Sequence, residues 1–86
     1  MTNCFEISGT VQGVMFRQTF IRGCLKRNLK AAATNDSKNK NRVLVMIDGQ
    51  IDQLREITER LQSLEKINSW GAKVTHINEI PCQWNL

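Results

Sequence analysis

The sequence predicts an α+β sandwich with two helices covering one face of an antiparallel sheet, and three observations carry the prediction. Apolar residues recur at helical spacing in two stretches, 17–29 and 51–64. Short runs of strand character flank and separate them. The resulting order is βαββαβ in a chain of 86 residues, which is room for one domain and one core. Residues 1–86 are therefore read as a single domain.

Taken in order, Asn3 to Thr10 carries Cys4-Phe5-Glu6-Ile7-Ser8 with partial period-2 alternation and then meets Gly9 and Gly13, a strand followed by a glycine-bearing loop. From Arg17 to about Leu29, the residues Phe16, Phe20, Cys24 and Leu25 recur three to five apart, with Arg22, Lys26 and Arg27 largely outside the stripe, which predicts an amphipathic helix. Ala31 to Asn35 is short and ambiguous. Arg42 to Asp48 contains the β-branched run Val43-Leu44-Val45-Met46-Ile47, bounded by Gly49, and reads as a buried strand. Ile51, Leu54, Ile57, Leu61 and Leu64, at spacings of three and four, define the clearest helix. Ala72 to Asn78 reads as a strand closed off by Pro81, with Cys82 to Leu86 open as a short edge strand. Two helices on one face of such a sheet make the ferredoxin-like architecture. Phe16, Phe20, Leu54 and Leu61 are expected in the core, and packing is the favoured role of Trp70 and Trp84.

Composition narrows the class. Hydrophobic residues make up 41% and charged residues 23%, a globular balance. No apolar stretch is long enough to span a bilayer. Neither end carries a targeting or lipidation pattern, so a cytoplasmic location and no membrane partner are expected. The three cysteines, Cys4, Cys24 and Cys82, include no CxxC pair, and His76 is the single histidine. That set draws no metal cage, and free thiols in a reducing compartment are expected. The net charge is +4, with Arg22, Lys26, Arg27 and Lys30 in one cluster and Lys38, Lys40 and Arg42 in another. Such a field suits an anionic partner, either a small phosphorylated molecule or a nucleic acid, although solvated basic faces are common.

Because this architecture hosts many functions, function has to be read from a site. Gly9-Thr10-Val11-Gln12-Gly13-Val14-Met15-Phe16-Arg17 joins the first strand to the first helix. Backbone N–H groups of a glycine-containing loop can converge on phosphate oxygens, and the N–H groups and dipole of the following helix add to the attraction. Gly13 frees the backbone for that curvature. Arg17 can close the cradle with a planar fork that meets phosphate bidentately. The loop lacks the GK[ST] ending of a Walker motif.

The run VQGVMFR, residues 11–17, closely resembles the acylphosphatase signature Val-Gln-Gly-Val-x-Phe-Arg. Leu29-Lys30-Ala31-Ala32-Ala33-Thr34-Asn35 falls where that family has Leu-x-Gly-Trp-Val-x-Asn, and Val43 to Gly49 and Ala72-x-Val74-x-x-Ile77 resemble its third and fourth strands, so nearly the whole chain is covered. The departures are Ala31-Ala32 in place of Gly-Trp, and a loop after Asn35 about two residues longer that lacks an Asp-Gly turn.

The resemblance implies hydrolysis of the carboxyl-phosphate bond of small acyl phosphates, with no cofactor. By it, the backbone of Val11, Gln12, Gly13, Val14, Met15 and Phe16 binds phosphate, Arg17 clamps it, and Asn35 orients the attacking water. A carboxylate leaves readily, so little general-acid help is required. Positioning and charge stabilisation supply the rest, from N–H groups and Arg17 in place of a metal. Asn35 can both accept from and donate to water, and the water's proton would pass to the substrate's own phosphate. The longer loop leaves Asn39 and Asn41 as other holders of that role. Inorganic phosphate is the expected product and inhibitor, and a monomer is expected. The rival reading is a non-catalytic module binding RNA or another phosphorylated partner. It is disfavoured because tyrosine is absent and Val43 to Ile47 is wholly aliphatic, whereas RNA readers of this topology present aromatic side chains on the sheet.

Overall fold

The computed structural model describes residues 2–63 and 67–82. Its elements run β1 (Thr2–Thr10), α1 (Phe16–Lys26), β2 (Lys30–Asn35), β3 (Arg42–Asp48), α2 (Ile51–Ser63) and β4 (Lys73–Ile80). All neighbouring strands pair antiparallel in the order β2-β3-β1-β4. The predicted α+β, ferredoxin-like sandwich is the fold observed.

Strand alternation divides the sheet into two faces. Phe5 and Ile7 of β1 and Val43, Val45 and Ile47 of β3 face the helices and join Phe16, Phe20, Leu54, Ile57 and Leu61 in one buried cluster. α1 lies chiefly against β2 and α2 against β4. On the opposite face Cys4 pairs in register with Met46, and both are buried there outside the helix-side cluster.

α1 stops three residues before the end that periodicity predicts, for a reason internal to the chain. Asn28 adopts a left-handed φ of 58°. The N–H of Asn28 bonds the Leu25 carbonyl at 3.0 Å, and the N–H of Leu29 reaches back to that of Cys24 at 2.9 Å. This is a Schellman closure. Leu29 continues the apolar stripe because it is the buried contact of that closure, not because it is helical. Leu25 is a correction: it is 63% exposed and lies off the buried face.

β2 is a full strand despite its alanines, because pairing from Lys30↔Asp48 to Asn35↔Val43 overrides weak local preference. β4 begins one residue later and ends two later than expected, just before Pro81. Cys82 lies outside any strand, and the rest of the suggested Cys82–Leu86 edge strand, with Trp84, falls outside the described residues, as does Leu64. Trp70 does not pack as expected; it is 65% exposed, in the turn ahead of β4.

The free-thiol expectation holds for Cys24, which is buried and unpaired, and fails for the other two. Cys4 and Cys82 form a disulfide with a Cα–Cα distance of 5.2 Å. A separation of 78 residues hides the pairing from sequence spacing. Sheet topology brings the residues together, since Cys4 pairs with Ile80 and Cys82 follows two residues on. Such a bond persists in oxidising surroundings. Among the described residues no helix is long and apolar enough to cross a membrane.

At the exit of β1 the chain is bent into the next segment by a bulge. The β1–β4 register shifts between Ser8 and Gly9, and Gly9 takes φ 143°, where a Cβ would collide with the backbone of Lys73 and Thr75. A bulge re-aims the strand it interrupts. Here it redirects the chain out of β1 into residues 11–15, which lead to α1.

Candidate active site

Five residues link β1 to α1, and their backbone has an unusual feature. φ is positive at Gly13 (75°) and Met15 (57°) and at no other residue between Val11 and Arg17. The sign therefore alternates from Gln12 through Phe16. Alternation of this kind turns successive N–H groups towards one side and forms a concave anion nest. Glycine takes φ 75° without strain, whereas a methionine in the left-handed region is strained by about 1–2 kcal/mol, a feature that concentrates at functional sites.

α1 extends the same site. Met15 is its N-cap, no side chain caps it, and its first turn contains no acidic residue. The first helical bond runs from the Thr19 N–H to the Met15 carbonyl at 3.1 Å. The preceding amides thus lack intrahelical acceptors, and the helix dipole leaves partial positive charge beside the nest.

A cleft of about 530 Å³ opens at this point. Of the seven residues expected to bind phosphate, Val11, Gly13, Met15, Phe16 and Arg17 line it. Gln12 and Val14 are not among its lining residues; the Gln12 side chain is engaged by the β2–β3 loop and the Val14 carbonyl by Asn68. The wall continues along α1 through Gln18, Ile21 and Arg22, and Ala33 of β2 contributes the facing side. Two arginines therefore border one cleft. Neither makes an ion pair among the described residues, and Arg17 is exposed.

Asn35 ends β2, opposite Val43 of β3. It shares its strand face with Ala31 and Ala33, both packed towards the helices, but it is not among the residues that line the cleft. It is exposed, and its side chain has no hydrogen bond among the described residues. The other two asparagines considered for its role lie in the β2–β3 loop, Asn39 engaged through its side chain and Asn41 through its backbone. Asn39 Oδ1 accepts the Asn41 N–H at 2.9 Å, and the Asn41 carbonyl accepts the Gly9 N–H at 2.8 Å.

What sequence reading missed is the side chain of Gln12. Its Nε2 lies 3.2, 3.0 and 2.8 Å from the carbonyl oxygens of Asp36, Asn39 and Arg42. Gln12 therefore fastens the loop that follows Asn35 to the nest itself. Arg42, whose guanidinium reaches Glu6 at 3.4 Å and Asp36 at 3.6 Å, ties the same loop to β1. No sequence signal separates such an anchoring glutamine from a solvent-facing one. Ala33 was equally silent, an apolar residue in a strand of uncertain type.

The remaining reactive groups lie elsewhere. Cys24 is buried on α1, and burial pushes its thiol up to about 11, against a smaller opposing pull from Arg27. His76 is exposed on β4, paired in register with Ser8. Among the described residues no three His, Cys, Asp or Glu side chains are placed to hold a metal ion. The sheet face away from the helices presents Cys4, Glu6, Leu44 and Met46 on its central strands, without an aromatic platform for bases.

Fold and site together define a ferredoxin-like domain with a concave backbone nest at the start of its first helix. A sequence-family model for acylphosphatase matches residues 4–84, and the chain belongs to the acylphosphatase family. The crystal structure of acylphosphatase from Bacillus subtilis shares the fold, with a TM-score of 0.73 at 24% sequence identity over 98% of this chain and 87% of that one. Among curated proteins none matches the sequence significantly.

Proposed function

We propose that this member of the family hydrolyses the carboxyl-phosphate bond of small acyl phosphates without a metal, with residues 11–16 and Arg17 binding the phosphoryl group and Asn35 orienting water. The observation that carries the reading is the alternating backbone of residues 12–16, which runs directly into an uncapped, acid-free helix start. Such a site presents fixed N–H dipoles to phosphoryl oxygens, where charge is concentrated in the transition state.

In this mechanism Arg17 faces two phosphoryl oxygens with its planar fork and compensates their charge as the P–O bond to the acyl group breaks. Water attacks phosphorus from the side opposite the departing carboxylate. The Asn35 amide oxygen accepts from that water and aligns its lone pair. The proton passes to a phosphoryl oxygen, so carboxylate and inorganic phosphate leave without a protein acid or base. Gln12 keeps the Asn35 end of β2 in fixed relation to the nest. All of these groups come from one chain, in keeping with a monomer acting on a small molecule.

The test is phosphate release from acetyl or benzoyl phosphate in the presence of a chelator. Arg17→Ala is expected to remove turnover and weaken competition by inorganic phosphate together, and Arg17→Lys not to restore them, since lysine lacks the fork. Asn35→Ala is expected to lower kcat on the order of a hundredfold with phosphate affinity nearly unchanged. Loss of turnover on chelation, or parent-like activity of Arg17→Lys, would overturn the reading.

A further inference from the structure

Asn68 stands between α2 and β4, 54 residues from Val14, yet it is bonded directly to the nest. Its Oδ1 accepts the N–H groups of Trp70 at 3.0 Å and Ala72 at 3.2 Å. Its Nδ2 donates to the Val14 carbonyl at 2.8 Å and to Thr19 Oγ1 at 3.1 Å. The amide orientation is forced by these neighbours, because exchanging its two ends would set donor against donor and acceptor against acceptor. Thr19 Oγ1 in turn donates to the Met15 carbonyl at 2.9 Å.

The consequence follows from peptide geometry. No peptide bond among the described residues is cis, and in a planar trans peptide the carbonyl and the next N–H point in opposite directions. Holding the Val14 carbonyl on the Asn68 side aims the Met15 N–H the other way, and holding the Met15 carbonyl does the same for the Phe16 N–H. Met15 and Phe16 both line the cleft. The left-handed Met15 is the residue least able to keep this conformation unaided. We propose that Asn68 is a positioning residue of the phosphate nest: through the Val14 carbonyl, and through Thr19 on the Met15 carbonyl, it aims the Met15 and Phe16 amides at bound phosphate. The proposal rests on the phosphate-site reading above.

The experiment is titration with inorganic phosphate, read by calorimetry and by the amide shifts of ¹⁵N-labelled protein. Asn68→Asp keeps both accepting bonds of its own turn and loses the donor. Thr19→Val removes only the relay hydroxyl and adds no charge. Each is expected to weaken phosphate binding, about tenfold for Asn68→Asp and several-fold for Thr19→Val, and to diminish the phosphate-induced shifts of the Met15 and Phe16 amides. Gly71→Ala is the control. It strains the same turn at φ 86° without touching the nest, and is expected to lower thermal stability with phosphate affinity kept. Parent-like affinity and parent-like Met15 and Phe16 shifts in folded Thr19→Val and Asn68→Asp would overturn the proposal, as would an equal loss of affinity in Gly71→Ala. A parent protein that binds no phosphate would instead refute the site reading, and this inference with it.

Discussion

Opening the Cys4–Cys82 bond is expected to weaken the fold strongly and leave the chemistry alone. The bond closes a loop of 78 residues, and chain-entropy bookkeeping gives about 15 cal/mol/K, or about 4.5 kcal/mol at 25 °C, by which the unfolded state is disfavoured. Measured disulfides commonly return about 2–4 kcal/mol, so a loss of at least about 2 kcal/mol is expected. Cys82→Ser is the cleaner perturbation, because Cys82 is exposed whereas a hydroxyl at Cys4, 1% exposed, would add a buried polar group. Urea unfolding of the oxidised parent, the reduced parent and Cys82→Ser should show the latter two together. Their midpoints should fall by roughly 1–2 M or more, for slopes of about 1–2 kcal/mol per M. Turnover well below the transition should be unchanged, since the bond lies on the sheet face opposite the helices. Coincident midpoints would refute the energetic reasoning, and three titratable thiols in unreduced, denatured protein, where one is expected, would refute the pairing itself.

Gly9→Ala should destabilise by about 3 kcal/mol or more, read by thermal or urea unfolding, because the added methyl collides with the Lys73 carbonyl at φ 143°. Gln12→Leu strips three carbonyls of their common donor and should lower kcat well beyond its effect on phosphate affinity, as a steady-state comparison would show, because it frees the loop after Asn35 more than the nest. Cys24 is raised in the folded state to about 11, so its contribution to stability is complete below the unfolded value near 9.0 and is lost as pH rises through about 11. Comparing parent with Cys24→Ala by urea unfolding from pH 8 to 11 should reveal a steeper alkaline decline in the parent.

How much of this was legible in sequence depends on the range of the interaction. Elements with strong internal period were readable. β3 was predicted to the residue, and α2 from Ile51, because a β-branched run and a stripe of leucines and isoleucines leave few alternatives. The Ala31-Ala32-Ala33 strand was ambiguous because its identity lies in its pairing with β3, not in its own residues. The end of α1 was misplaced because Leu29 satisfies helical spacing from outside the helix. At the candidate site, the residues whose backbone forms the nest, and Arg17 beside them in the cleft wall, were legible as one short contiguous run. Gln12, Asn68 and the disulfide act across 24 to 78 residues, a distance over which a single sequence carries no register.

That division has a physical origin in what a phosphate nest requires. Turning consecutive amides to one side leaves their carbonyls on the other, and there they need partners of their own. A loop of five residues cannot supply both: the Val14 carbonyl takes its donor from the distant Asn68, and the Met15 carbonyl takes the backbone N–H and the hydroxyl of Thr19 in α1, the hydroxyl itself accepting from Asn68. Gln12 works in the reverse direction, extending from the nest to satisfy carbonyls of the neighbouring loop. The contiguous motif thus encodes the half of the site that faces the ligand, and the fold supplies the half that faces the protein. On the proposed reading, substituting within the motif is expected to remove contacts to phosphate, whereas substituting its remote partners is expected to leave those contacts available but no longer aimed.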